Sequence, residues 1–113
     1  LIEKAYAKAY GGYYKIHSGI LSEAFRDLTG APPRLYKLEE AQNSTEKANK
    51  IYNKIKKAFK TTYLVAGGTK PHPTIPEFKK PNGLIMGHAY SILDLDKVVR
   101  NNQEVRLIQL RNP

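Results

Sequence analysis

The 113-residue sequence contains no cysteine, which excludes disulfides, thiolate metal sites and a thiol nucleophile of its own. No stretch approaches the ~20 apolar residues that span a bilayer, so no transmembrane segment is expected, and no signal-peptide pattern opens the chain. Arginine is scarce, five residues against fourteen lysines within a net charge of +9. Nucleic-acid contact leans on arginine for bidentate base recognition, so the lysine excess reads as a solvated, solubilising surface with no nucleic-acid partner. The rival is a basic module whose lysine face over residues 47–60 contacts a polyanion, with binding that salt weakens steeply. Internal repeats are also absent.

What is present suffices for a folded core: 41% apolar residues, with eight tyrosines and three phenylalanines. A chain of this length is one domain's worth, expected to bury roughly two-thirds of its unfolded surface. It opens on Leu1, already inside an apolar helical pattern, and stops at Pro113 directly after an apolar strand pattern. Both ends read as cut from a larger protein.

Periodicity predicts a helix over Leu1–Tyr10, ended by Gly11-Gly12, and then a loop over Tyr13–Gly19. A second short helix follows, with Ser22 as N-cap, Glu23 in the first turn and Gly30 as its stop. Leu35–Leu38 reads as a short strand. Asn43 with Glu46 reads as a capping pair opening the longest helix, near residues 44–60. Its buried stripe is Ala48, Ile51, Tyr52, Ile55, Ala58 and Phe59, with Lys47, Lys50, Lys54 and Lys57 opposite. Tyr63–Ala66 is a strand candidate closed by Gly67-Gly68. Gly68–Asn82 holds Pro71, Pro73, Pro76 and Pro81 and is expected to form no regular structure. A hairpin over residues 84–111, turning near Asn101-Asn102, pairs the alternating segments Tyr90–Leu95 and Val105–Leu110. Helices and strands alternate too irregularly for a parallel array, so the fold class is α+β.

That hairpin brings His88 and Asn112 together, and a histidine oriented by an asparagine is half of a cysteine-protease site. Read alone, a histidine opening an apolar strand is more often packed and hydrogen-bonded to backbone. His17 and His72 carry no further signal, His72 reading as exposed between two prolines, and no third ligand gives the histidines metal-site spacing. Asp94 and Asp96 alternate with Leu93 and Leu95 and read as a solvated edge rather than oxygen ligands.

The neighbourhood of His88 is more specific. Gly87-His88-Ala89-Tyr90-Ser91, followed by Leu107-Ile108-Gln109-Leu110-Arg111-Asn112-Pro113, resembles the calpain family of cysteine proteases. So do Leu1–Lys8, the Gly-x-Tyr turn at Gly11–Tyr13, and Ser22–Gly30, in the same order along the chain. The resemblance leaves out only the lysine-rich helix and the proline-rich loop.

The resemblance implies a papain-like core of two subdomains, of which residues 1–113 are the C-terminal one, with antiparallel strands and flanking helices. His88 then matches the catalytic histidine and Asn112 the asparagine that orients it. The cysteine nucleophile belongs to the N-terminal subdomain, the partner outside these residues. Gly19 and Gly87 match glycines whose backbones line the cleft and bind an extended substrate; where the family usually has two glycines this chain has Ser18-Gly19, which alters that wall. Gly68–Asn82 corresponds to a cleft-edge segment that gates substrate entry. The implied function is calcium-dependent cleavage of polypeptides by an intracellular, cytoplasmic endopeptidase, with no calcium ligand assigned here. The alternative is a non-catalytic calpain homologue, serving regulation or interaction, whose upstream cysteine has been replaced.

Overall fold

The computed structural model describes residues 1–61 and 63–113. They form two units, Leu1–Leu35 and Tyr36–Pro113. Among the described residues three α-helices and a three-stranded antiparallel sheet make an α+β fold, as the mixed periodicities imply.

In the first unit, α1 (Ile2–Tyr10) stops where its pattern does. Gly11, at φ +91°, turns the chain into the left-handed region, and the amides of Gly11 and Gly12 bond back to the carbonyls of Lys8 and Ala7. These paired bonds satisfy carbonyls that the helix end leaves open, and glycine takes the conformation without a Cβ penalty. Part of the expected loop after it winds into a 3-10 turn, Tyr13–Lys15. Helix α2 (Leu21–Thr29) begins earlier than its polar cap suggests. Its N-cap is Ile20, whose carbonyl accepts from Glu23 and Ala24, so Ser22 sits inside the first turn and caps nothing. Tyr6 and Tyr10, one turn apart with ring centroids 4.7 Å apart, both donate their hydroxyls to Asp27 of α2.

At the boundary between the units, the expected strand at Leu35–Leu38 is absent. Residues 35–37 join no ladder, and Leu38–Ala41 winds into a 3-10 turn. Helix α3 (Thr45–Lys60) runs close to its predicted span, but Ser44 rather than Asn43 caps it, accepting from the amide of Lys47. Glu46 turns outward to Lys50 at 2.6 Å, one helical turn on, instead of reaching back to the cap. The predicted apolar stripe is buried or half-buried, and the four lysines opposite are exposed.

The sheet order is β1 (Ala66–Gly68), β2 (Ala89–Arg100), β3 (Gln103–Arg111). The first strand lies later than its apolar residues suggest, and Gly67-Gly68 belong to it rather than end it. Register on β2 decides this, pairing Gly68 with Ala89 and Gly67 with Tyr90. Both strands of the hairpin run longer than predicted, and Asn101 and Asn102 turn it at φ 51° and 59°. Positive φ at both central residues suits the right-handed twist of the flanking strands, and asparagine tolerates it. A bulge between Ile92 and Asp94 shifts the register, leaving Leu95 buried and Leu93 exposed. Asp94 and Asp96 are exposed as expected, on the part of β2 that runs past β1 and pairs only with β3, and each accepts from the next backbone amide.

Tyr52 joins α3 to the sheet by donating its hydroxyl to the Asp96 carbonyl at 2.8 Å. Arg106 of β3 lies over the same ring and donates to Asn49. Among the described residues the buried apolar side chains are Ala7, Tyr52, Tyr90 and Leu95, and β3 is exposed along its length except at Arg106.

Candidate active site

His88 lies at the mouth of β2, at the end of a segment strapped down by specific hydrogen bonds. The proline-rich stretch is therefore less irregular than its composition suggests. Lys79 and Ile85 form a β-bridge, Met86 donates to Phe78 at 2.9 Å, and Lys80 donates to Leu84 at 2.7 Å. Prolines forbid a continuous strand, but these pairings use only residues that keep their amide. His72 is half-buried rather than simply exposed. Its Nδ1 accepts from the amides of Thr74 and Ile75, and its ring centroid lies 4.9 Å from that of Phe78.

Gly87 donates to the Lys70 carbonyl at 2.9 Å and sits at φ +68°. A Cβ there would meet the Pro71 backbone at 3.3 Å, so conformation and crowding both require glycine. Gly19, in the first unit, is different. It has no positive φ, and nothing lies within 4 Å of where a Cβ would stand, so the fold does not demand glycine there.

The hairpin delivers Asn112. Ser91 pairs with Arg111, so the residue after β3 comes level with Tyr90 and its side chain reaches His88. His88 Nε2 lies 2.6 Å from Asn112 Oδ1. An amide oxygen only accepts, so Nε2 carries the proton and the tautomer is fixed. The imidazole therefore presents Nδ1 as its reactive nitrogen. Nδ1 faces the Glu77 carboxylate at 3.5 Å, with His88 partly exposed and Glu77 largely so. The edge of Tyr90 packs against the imidazole at 5.2 Å and 77°.

Sequence patterns marked His88, Gly87 and Asn112, and the fold brings all three together. They did not mark Glu77, the one acid in the proline-rich loop, nor Thr69, whose hydroxyl bonds the His88 amide at 3.0 Å. A lone hydroxyl after two glycines carries no spacing signal. No group of three or more histidine, cysteine, aspartate or glutamate residues that could hold a metal exists among the described residues. No described helix is long and apolar enough to cross a membrane.

A histidine held at Nε2 by an amide oxygen, with Nδ1 beside a largely exposed carboxylate, has the chemistry to move a proton. The family model described as calpain family cysteine protease matches residues 1–113. The whole chain aligns at 36% identity with Calpain-A of Drosophila melanogaster, covering 13% of that protein. It aligns at 35% with human Calpain-9, covering 16%, and at 36% with the Calpain-1 catalytic subunit of Rattus norvegicus, covering 15%. The chain thus spans about a seventh of the length of these relatives. On a match over its full length, and on relatives above 30% identity, this chain belongs to the calpain family of cysteine proteases.

Proposed function

We propose that residues 1–113 are the C-terminal, histidine-bearing half of the catalytic core of a calpain-type cysteine endopeptidase that cleaves polypeptides. The single observation that carries this reading is the 2.6 Å bond between His88 Nε2 and Asn112 Oδ1. With Nε2 held, Nδ1 takes the proton from a cysteine thiol supplied by the N-terminal half, giving a thiolate–imidazolium pair. The thiolate attacks the scissile carbonyl carbon. His88 then returns the proton to the leaving amine, and a water hydrolyses the acyl-enzyme. Asn112 is suited to its part because it orients the ring without adding a negative charge that would compete with the thiolate.

The backbones of Gly87 and Gly19 bind the extended substrate on this reading. Family membership supports an intracellular, cytoplasmic protein regulated by calcium. No calcium ligand is assigned among these residues and no step is assigned to the ion.

The test is calcium-triggered cleavage of a denatured polypeptide by the full-length protein, with and without prior thiol alkylation. Cleavage that alkylation abolishes is the expected result. A full-length protein with no alkylatable cysteine and no cleavage would be the regulatory, non-catalytic homologue instead.

A further inference from the structure

We propose that Thr69 is a positioning residue for His88, an inference that rests on the protease reading above. Thr69 follows directly on β1, and its backbone pairs with His88 by a 3.0 Å bond from its amide to the histidine carbonyl. Its hydroxyl then adds two contacts that no strand ladder supplies. Oγ1 accepts from the His88 amide at 3.0 Å and donates to the Ile85 carbonyl at 2.6 Å, the His88 carbonyl being farther at 3.2 Å. Ile85 is also held from the other side, its amide donating to the Tyr90 hydroxyl at 2.8 Å. The tight turn Ile85–His88 is thus clamped between the side chains of Thr69 and Tyr90.

Geometry makes the clamp specific. His88 leaves this turn at the residue after Gly87, whose φ of +68° is a conformation that nothing in the residue itself enforces. A β-branched threonine has a restricted χ1, so its hydroxyl is fixed relative to β1 and transmits the position of the sheet to the histidine backbone. Asn112 sets the rotation of the ring, whereas Thr69 sets where the ring is hung. A shift of about 1 Å in a catalytic group costs on the order of 100-fold in rate, so the second setting matters as much as the first.

The experiment compares Thr69→Val and Thr69→Ser with wild type in the full-length protein, with rates normalised to titrated active sites so that loss of folded protein is not counted. Valine keeps the branch and volume and removes the hydroxyl, and serine restores it. Expected for Thr69→Val is a fall in kcat of about tenfold or more with KM changed less than about twofold, and a shifted pH profile for alkylation of the active-site thiol. Thr69→Ser is expected within about threefold of wild type in kcat, because its hydroxyl makes the same bonds. In histidine-labelled protein, the Nε2–H resonance of His88 moves or exchanges faster in the valine variant only. Wild-type kcat and pH profile in Thr69→Val, or equal loss in both variants, overturns the proposal. A wild-type protein without turnover whose Nε2–H resonance still responds to valine and not serine would leave Thr69 standing and remove the protease reading; no response in either variant removes the positioning role.

Discussion

Asn112 Oδ1 accepts from His88 Nε2 across 2.6 Å, although the two residues lie 24 positions apart in the chain. The hairpin turned by Asn101 and Asn102 makes the meeting possible, and the bulge between Ile92 and Asp94 sets the register that completes it. Antiparallel pairing returns the end of β3 to the start of β2, so the two functional side chains stand at the open end of the same ladder.

Removing the amide should leave the ring free to rotate. Asn112→Ala in the full-length protein is expected to lower kcat by about 100-fold while KM changes little, since orientation rather than substrate binding is lost. Steady-state kinetics on a peptide substrate checks this, and a kcat within twofold of wild type would contradict it.

Gly87→Ala combines a left-handed conformation with a 3.3 Å approach to the Pro71 backbone. The conformation alone costs roughly 1–2 kcal/mol for an L-residue. Urea denaturation should show at least that loss, and activity should fall further because the strain is relieved by moving the neighbouring His88. Serine at the same position should behave like alanine.

Tyr52 is the main tie between α3 and the sheet. Tyr52→Phe removes the bond to the Asp96 carbonyl and should cost roughly 1 kcal/mol, keeping the ring under Arg106. Tyr52→Ala also removes a buried ring, at roughly 3–5 kcal/mol. Denaturation midpoints of the three proteins give the comparison. Equal midpoints for wild type and phenylalanine would show that the hydroxyl contributes nothing.

The Tyr10–Asp27 pair gives a pH signature. The phenol of Tyr10, and secondarily that of Tyr6, bonds the Asp27 carboxylate and holds it below its ordinary value of 3.8. The same carboxylate raises the Tyr10 hydroxyl above its ordinary value of 10.0. The pair's stabilisation is therefore fully present between 3.8 and 10.0. It is lost in acid as Asp27 protonates through its lowered value, and in alkali as Tyr10 ionises above its ordinary one. Both groups are solvated, so the effect is small. Thermal melts of wild type and Tyr10→Phe should differ by a constant amount at neutral pH and converge in acid.

Much of the architecture was legible in the sequence because amphipathic period and turn chemistry are local. Helix α3, its buried stripe, the Asn-Asn turn and the two facing strands all follow from spacings within one element. The misses share a different cause. Ser22 and Asn43 are good caps by residue type, yet α2 starts from Ile20 and α3 from Ser44, a residue or two away. Strand β1 was placed too early because Gly67-Gly68 reads as punctuation, whereas pairing with Ala89 and Tyr90 makes it ladder. Thr69 and Glu77 gave no signal, since their importance depends on Ile85 and His88, brought near only by the fold.

Replacement of the histidine itself bears most directly on the account. Full-length wild-type protein and His88→Ala should be compared for peptide cleavage and for the rate of thiol alkylation at neutral pH. His88→Ala is expected to lose cleavage by a factor on the order of 1,000 or more and to alkylate more slowly, because no imidazolium stabilises the thiolate. Cleavage retained near the wild-type rate would contradict it.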